Sequence, residues 1–185
     1  MSTVSLSRRA FLMAATTTAL SGCASRVNTA RVVPGKLSPN ERLNIAAVGV
    51  GGMGRANIDA CSTENIVVLC DVDADRAGKT FAAYPKARRY VDFREMFDKE
   101  EKDIDAVIVA TPDHTHAVVS MQAIGRGKHL YCQKPLAHSL HEVRVMTKAA
   151  REAKIQTQMG NQGHTSDSIR RLCEWVDDGS IGPIR

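Results

Sequence analysis

Short runs of apolar, β-branched residues recur along the chain from residue 43 onward, and each is followed by a stretch with amphipathic helical spacing. Such runs are typical of parallel strands that helices cover on both faces. Strands are predicted at Leu43–Val48, Ile66–Cys70, Ala106–Ala110, His129–Cys132 and Ile155–Gln158, with a weaker one at Arg89–Val91. Six alternating units predict an α/β fold with a doubly wound parallel sheet, which binds ligands at the carboxyl ends of its strands.

Two of the intervening stretches carry helix signals beyond their periodicity. Ser139 and Glu142 have the spacing of a capping box, in which the first turn of a helix is closed by reciprocal hydrogen bonds. The last predicted helix has one apolar face, formed by Ile169, Leu172, Cys173 and Val176. With Gly179 ending this helix, we expect the folded domain to extend over residues 43–178.

The beginning of the chain predicts export rather than folded structure. Arg8 and Arg9 precede an uncharged stretch of 16 residues, Ala10 to Ser25, as in a twin-arginine signal peptide. A transmembrane helix is the alternative. At about 1.5 Å per residue, however, this stretch is shorter than the hydrocarbon core of a membrane. We therefore expect residues 1–22 to be a removable signal.

The sequence Leu-Ser-Gly-Cys at residues 20–23 resembles a bacterial lipobox, which predicts that Cys23 is lipidated. An ordinary cleavage site beside an incidental cysteine is the alternative. Residues 23–42 contain two prolines and a glycine without any periodicity, and they predict a tether. The expected location is therefore the periplasm or a membrane surface, with the lipid as the only membrane contact.

Composition argues against several other classes of partner. The net charge is +5, and without Arg8 and Arg9 only 23 basic residues stand against 20 acidic ones, with no long basic run. Together with an aromatic content of 4%, this disfavours nucleic-acid binding. No cysteine pair has C-x-x-C spacing, so no metal site is expected. Small buried thiols are expected at Cys61, Cys70, Cys132 and Cys173.

A glycine-rich loop, Gly-Val-Gly-Gly-Met-Gly, directly follows the first predicted strand. It contains G-x-G-x-x-G in the strand-to-helix context that a dinucleotide site requires. Gly49 permits a tight turn, Gly51 lets the main chain approach a pyrophosphate, and Gly54 lets the helix pack closely against the sheet. The helix start, with Gly52 and Met53, would bind the phosphates through main-chain N–H groups and the helix dipole. The loop predicts a Rossmann domain.

An acidic residue ends the second predicted strand. Asp71 lies 22 residues after Gly49, where a carboxylate accepts hydrogen bonds from an adenosine ribose and would repel the 2′-phosphate of NADP. NAD is therefore expected rather than NADP, although Arg76 lies near enough to complicate that preference. The alternative, that Asp71 merely caps the next helix, stays open. We expect Asp73 to be the cap.

Three further segments carry a resemblance to a known family. They are Ala-Thr-Pro-Asp-His-Thr-His at 110–116, Tyr-Cys-Gln-Lys-Pro-Leu at 131–136 and Met-Gly-Asn-Gln-Gly-His at 159–164. With the glycine loop, and in this order, they resemble the glucose-fructose oxidoreductase/inositol dehydrogenase (Gfo/Idh/MocA) family from about Leu43 to Arg185. The resemblance implies an NAD-dependent oxidoreductase that transfers hydride to or from a hydroxyl-bearing carbon of a sugar, polyol or derivative.

The resemblance also implies roles for individual residues. Thr111, Pro112 and His116 match a loop that lies along the cofactor toward the nicotinamide, although a turn followed by a helix cap would also explain this segment. Lys134 matches the lysine of the family's Glu-Lys-Pro motif, which sits between nicotinamide and substrate. There it is expected to bind the reacting hydroxyl and, with its pKa lowered by burial, to move a proton. An ordinary surface lysine is the alternative.

The neighbouring positions depart from the family pattern or leave alternatives open. Gln133 replaces the motif's glutamate, and its amide can still hydrogen-bond a nicotinamide ribose, although it lacks the charge. Pro135 is a candidate for a cis bond that aims the lysine. For Asn161, Gln162 and His164 the two interpretations are residues that line the same cleft and ordinary solvated loop residues.

Residues 179–185 resemble the beginning of the family's second domain, so the resemblance implies that the chain stops where a substrate-binding domain would start. The aspartate and histidine of that domain are then missing, and Lys134 alone is not expected to sustain catalysis. The complete protein is expected to be a homo-oligomer with a carbohydrate-like substrate. Two alternatives remain: a glycosidase that oxidises its sugar transiently and regenerates NAD, as in some exported relatives, and a non-catalytic nucleotide-binding module.

Overall fold

The computed structural model describes residues 42–183, so the predicted signal, the predicted lipidated cysteine and all but the last residue of the predicted tether lie outside the described residues. The strands are β1 (Asn44–Val48), β2 (Asn65–Cys70), β3 (Arg88–Tyr90), β4 (Ala106–Val109), β5 (His129–Gln133) and β6 (Thr157–Gly160). The helices are α1 (Met53–Ala60), α2 (Ala74–Ala83), α3 (Phe93–Glu100), α4 (Asp113–Gly125), α5 (Leu140–Ala153) and α6 (Asp167–Asp177). Short 3-10 helices lie at Glu101–Asp103 and Gln162–Thr165.

The six strands form one sheet in the order β3-β2-β1-β4-β5-β6, and every neighbouring pair is parallel. This confirms the predicted doubly wound α/β fold. The chain proceeds outward from β1 to β3 and then returns to β4 on the other side of β1. At this switch point the loops after β1 and β4 leave the sheet in opposite directions, which opens a crevice at the carboxyl edge. The glycine loop and the segment 110–116 meet there.

The central strands alternate their side chains between two buried layers. Ala46 and Val48 of β1 belong to the layer that includes Met96 and Phe97 of α3, while Ile45 of the same strand belongs to the layer next to α1 and α2. Side chains that are apolar in every position therefore suit these strands, because helices cover both faces of the sheet.

Local helix signals in the sequence are confirmed at two helices. The main-chain N–H of Glu142 donates to Ser139 Oγ (3.3 Å), and the main-chain N–H of Ser139 donates to Glu142 Oε2 (2.8 Å), so the capping box of α5 is formed. Asp73 Oδ1 accepts hydrogen bonds from the main-chain N–H groups of Asp75 and Arg76 and thereby caps α2, as expected.

The last strand lies two residues later than predicted. Its register pairs Leu130 with Thr157 and Gln133 with Gly160, so β6 covers Thr157–Gly160 instead of Ile155–Gln158. Helix α5 ends at Ala153 and is followed by Lys154, which has a left-handed φ of 54°, and Ile155 packs against the core from the connecting loop. The apolar character of Ile155 reflects its partial burial against the core and not a place in the strand ladder.

Helix α6 forms where its apolar periodicity predicts, but its apolar face is exposed: Trp175 is 52% exposed and Leu172 46%. The expected burial of Cys173 is therefore wrong, and Cys61 is only half-buried, whereas Cys70 and Cys132 are buried as predicted. Periodicity predicts which face of a helix is apolar, but not what covers it. None of the helices in residues 42–183 is long and apolar enough to cross a membrane.

Candidate functional site

A groove of about 550 Å³ lies at the carboxyl edge of the sheet, over the ends of β1, β2 and β4. Its wall includes Gly49, Gly51, Asp71, Arg76, Thr111 and Pro112, together with Val91 from the β3–α3 connection and Phe93 of α3. The structure thus brings together the glycine loop, the acidic residue after β2 and the first part of the segment 110–116, which the sequence predicted separately.

The glycine loop is built from main-chain contacts that no side chain could share. Gly49 has a φ of 80°, and a Cβ on it would lie 2.7 Å from the main-chain carbonyl carbon of Ala110. A Cβ on Gly54 would lie 1.8 Å from the carbonyl oxygen of Gly49. These distances are too short for any real contact, so both glycines are required for the turn and for the close packing of α1.

Gly51 and Gly52 present bare main chain beneath one long side chain. A Cβ on Gly51 would lie 2.7 Å from Arg76 Cγ, and one on Gly52 would lie 3.6 Å from Arg76 Nη2. Arg76 is exposed, so it covers this part of the loop without being packed in place. Met53, the first residue of α1, is 56% exposed.

Helices α1 and α4, which follow β1 and β4, differ from the other four described α-helices at their N-termini. Asp73, Asp92, Ser139 and Ser166 cap helices α2, α3, α5 and α6 through their side chains. Helices α1 and α4 begin after Gly52 and Pro112, and no side chain within the described range caps either of them. Uncapped main-chain N–H groups and the positive end of the helix dipole favour an anionic ligand group at this point.

Asp71 joins the end of β2 to the glycine loop. Its Oδ2 accepts hydrogen bonds from the main-chain N–H groups of Val50 (2.8 Å) and Gly51 (3.3 Å), and its Oδ1 accepts one from the N–H of Asp73 (3.0 Å). The carboxylate therefore does not cap α2. It remains half-buried in the wall of the groove.

The thiol beneath this carboxylate is not a candidate nucleophile. Burial, aided by the nearby negative charges of Asp71 and Asp92, raises the pKa of Cys70 to about 12. The thiol therefore stays protonated near neutral pH, and the thiolate is the nucleophilic form. Cys70 serves as a small apolar side chain in the floor of the groove.

Thr111 provides a second sign that the groove is shaped for a ligand. Its Oγ1 is buried and has no hydrogen-bond partner within residues 42–183, which is uncommon for a hydroxyl group. Thr111 belongs to the wall of the groove, next to the main chain of Gly49. The bare glycine main chain, the uncapped start of α1, Asp71 and this unpaired hydroxyl together fit a dinucleotide.

Lys134 follows β5 at the same edge of the sheet, on the far side of β4 from the glycine loop. Its side chain is exposed, so the expected burial of the amine is not found. The main-chain N–H of Lys134 donates to Gln133 Oε1 (3.1 Å), and the Lys134–Pro135 peptide bond is cis, the geometry for which Pro135 was a candidate.

Two residues expected to touch the cofactor have partners inside the protein instead. Gln133 is 5% exposed, and its Nε2 donates to Asn57 Oδ1 (3.2 Å). His116 is 1% exposed, and its two ring nitrogens lie within hydrogen-bond distance of the carbonyl oxygens of Thr111 and Pro135. The polar atoms of both side chains are therefore engaged inside the described fold, and their contact with a cofactor stays a prediction.

The residues after β6 reach the same edge but do not line the groove. Asn161 and His164 are exposed, while Gln162 Nε2 donates to Tyr131 Oη (3.0 Å) and to Asn57 Oδ1 (3.2 Å). Sequence reasoning missed Asn57, which links α1 to β5. The sequence signal for it was the position of the Asn57 side-chain amide, which comes directly before Ile58 on the buried side of α1.

Comparisons with known proteins are consistent with this geometry. The family model described as "Oxidoreductase family, NAD-binding Rossmann fold" matches residues 43–161. Inositol 2-dehydrogenase of Klebsiella pneumoniae is 30% identical over 147 residues, which are 76% of this chain and 43% of that protein. Glucose-6-phosphate 3-dehydrogenase of Bacillus subtilis is 31% identical over 143 residues, covering 76% of this chain and 39% of that protein.

Among solved structures, an NAD binding oxidoreductase from Klebsiella pneumoniae superimposes with a TM-score of 0.61 at 31% identity. The superposition covers 76% of this chain and 40% of that one. The chain thus spans about two-fifths of the length of these relatives. Fold and cofactor class agree with the expectations from the sequence.

Proposed function

The chain belongs to the oxidoreductase family with an NAD-binding Rossmann fold, and on that premise we propose that residues 43–178 are the cofactor half of a dehydrogenase. One observation carries the proposal: the main-chain cradle at Gly49, Gly51 and Gly54 opens onto the uncapped start of α1. A pyrophosphate is the ligand group that this combination suits best, because it needs close main-chain approach and N–H donors.

The proposed reaction is hydride transfer between NAD and a hydroxyl-bearing carbon of a sugar or polyol. NAD, when bound, supplies the hydride acceptor. Lys134 has an exposed amine at the carboxyl edge of β5, where it can hydrogen-bond the substrate hydroxyl. In its neutral form the amine accepts the hydroxyl proton as the carbon–oxygen double bond forms. The two curated relatives support this substrate class, since both are named for polyhydroxylated rings.

Calorimetric titration of the purified chain with NAD and NADP tests the proposal. We expect NAD to bind with a Kd below about 1 mM, and NADP to bind more weakly because Asp71 opposes its extra phosphate. Gly51→Ala should weaken NAD binding at least about tenfold, since its Cβ projects where main chain must approach the phosphates, while exposed Arg76 can move aside. Gly78→Ala, whose Cβ meets nothing within 4 Å, is the matched control. Absence of binding to either nucleotide at millimolar concentration overturns the proposal.

We further propose that residues 1–22 export the chain through the twin-arginine route and that Cys23 is then lipidated and tethers the domain through residues 24–42. The paired arginines and the lipobox-like residues 20–23 support this. Replacing Arg8 and Arg9 by lysine should abolish export from a bacterial host. Cys23→Ser should remove the lipid mass from the mature protein, whereas the control Cys173→Ser should retain it; an unlipidated wild-type protein would contradict the proposal.

A further inference from the structure

The main chain on both sides of Lys134 is held by side chains, although its own side chain is exposed. Before it, Gln133 Oε1 accepts the hydrogen bond of the Lys134 main-chain N–H (3.1 Å). After it, the carbonyl oxygen of Pro135 lies 2.6 Å from Nδ1 of His116. Only the side chain of Lys134 is therefore free to move toward a ligand.

His116 connects this loop to the wall of the groove. The residue lies in the first turn of α4, is 1% exposed, and its Nε2 is 2.7 Å from the carbonyl oxygen of Thr111. Both partners of the ring are carbonyl oxygens, which only accept hydrogen bonds, so each contact requires a ring N–H donor. A neutral ring donates to one of them, and the doubly protonated ring donates to both. The imidazole thus bridges the loop after β4 and the loop after β5.

A second connection leads from the same loop to α1. Gln133 Nε2 donates to Asn57 Oδ1 (3.2 Å), and Asn57 is a buried residue of the helix that begins at the glycine loop. Gly160 leaves the space that the Gln133 side chain fills, since a Cβ there would lie 2.8 Å from it. The lysine-bearing loop is therefore tied to the two helices whose uncapped N-termini face the crevice.

We propose that His116 is a positioning residue: its buried imidazole holds the main chain of Lys134 in register with Thr111, and hence with a dinucleotide bound in the groove that Thr111 lines. The proposal rests on the proposed function of the groove. A histidine that only fills space would contribute to stability but would not couple nucleotide binding to Lys134. That coupling distinguishes the two roles.

The test uses the full chain labelled with ¹⁵N, with NAD as the probe. In the wild type, at least one ring N–H proton of His116 should exchange slowly with solvent, because it is buried and hydrogen-bonded. NAD should shift the amide signals of both Val50 and Lys134. In His116→Ala, exchange at the amides of Lys134 and Leu136 should accelerate about tenfold or more, while that at Val50 stays unchanged. The NAD-induced shift at Lys134 should disappear while that at Val50 remains.

Two controls give the result its meaning. His141→Ala removes an exposed imidazole from α5 and should behave as the wild type. Imidazole added to His116→Ala should restore slow exchange and the NAD-induced shift at Lys134, whereas 1-methylimidazole, which has one ring nitrogen blocked, should not. If His116→Ala does not fold, the same amide-exchange and NAD-shift measurements are made on His116→Gln. Together with the exchange rate of the wild-type ring protons, they test the positioning role.

Unchanged exchange at Lys134, a retained NAD response at Lys134, or a fast-exchanging wild-type ring would each overturn the positioning role. If instead the groove does not bind NAD, the wild type would show no NAD-induced shift at Val50 or at Lys134. In that case exchange at Lys134 in the variant still shows whether His116 holds the loop.

Discussion

The glycine loop between β1 and α1 and the loop that carries Lys134 lie at one edge of the same sheet, but different kinds of contact hold them in place. At the glycine loop the decisive contacts join main chain to main chain, as between Gly54 and the carbonyl oxygen of Gly49. At the lysine loop they join side chains to main chain over long sequence separations, as between His116 and Pro135. A ligand site can thus be rigid for two different reasons, and substitutions should affect its two ends differently.

The largest effect is expected for Gly54→Ala. Its Cβ would lie 1.8 Å from a main-chain oxygen, which cannot move without opening the turn. We expect unfolding in urea to show a loss of about 3 kcal/mol or more, together with loss of NAD binding. Gly78→Ala in α2 meets nothing within 4 Å and should instead stabilise the chain by about 0.5 kcal/mol or more. Equal stability of Gly54→Ala and Gly78→Ala would show that the close main-chain contact at Gly54 does not hold the glycine loop in place.

Asp71→Ala should test the binding role of the glycine-loop region. The variant removes the acceptor for the N–H groups of Val50 and Gly51 and the carboxylate proposed to meet the ribose. NAD affinity measured by calorimetry should fall about 10- to 100-fold, and the preference over NADP should shrink. Asp75→Ala, which removes an exposed carboxylate from the first turn of α2, should leave both affinities close to wild type. An unchanged NAD-to-NADP ratio would argue against ribose recognition by Asp71.

Gly160→Ala tests the loop that carries Lys134. Its Cβ would lie 2.8 Å from the Gln133 side chain, which would have to leave its contact with Asn57. Thermal or urea denaturation should show a loss of about 1–3 kcal/mol, with a smaller change in NAD affinity than for Asp71→Ala. Gly163→Ala, with no atom within 4 Å of its Cβ, serves as the control. Comparable stability of the two variants would show that Gln133 is not held in place by packing.

The smallest effect concerns the two buried thiols, Cys70 at the end of β2 and Cys132 in β5. Burial is the main cause that raises the pKa of Cys70 to about 12 and that of Cys132 to about 11, from 9.0. Both thiols therefore favour the folded state below pH 9, and this contribution is lost as the pH rises above it, because unfolded thiols ionise first. Denaturation between pH 8 and about 11 should show decreasing stability, with a shallower slope in Cys70→Ala and Cys132→Ala.

Alkylation provides the matching measurement, because the exposed Cys173 should react rapidly while Cys70 and Cys132 react only upon unfolding. Fast alkylation of either buried thiol in the folded chain would show that the strand end that carries it opens readily. Comparing the two rates would then rank the rigidity of the glycine loop against that of the lysine loop.

Much of the glycine-loop region was predictable from residues that are close together in the sequence. The glycine spacing, the strand before it and the acid after β2 form a local pattern, and the structure brings these parts together as expected. The roles of His116 and Gln133 were not predictable in the same way. Their partners Pro135 and Asn57 lie 19 and 76 residues away, and no local periodicity encodes such pairings.

The sequence by itself determined the order of strands and helices, the doubly wound fold and the glycine loop, because each depends on local periodicity or on steric limits within a few residues. Only the tertiary structure decided the register of β6, the exposure of Lys134 and α6, and the burial of His116. These features depend on which surfaces meet across the sheet, and that is set by packing between distant segments.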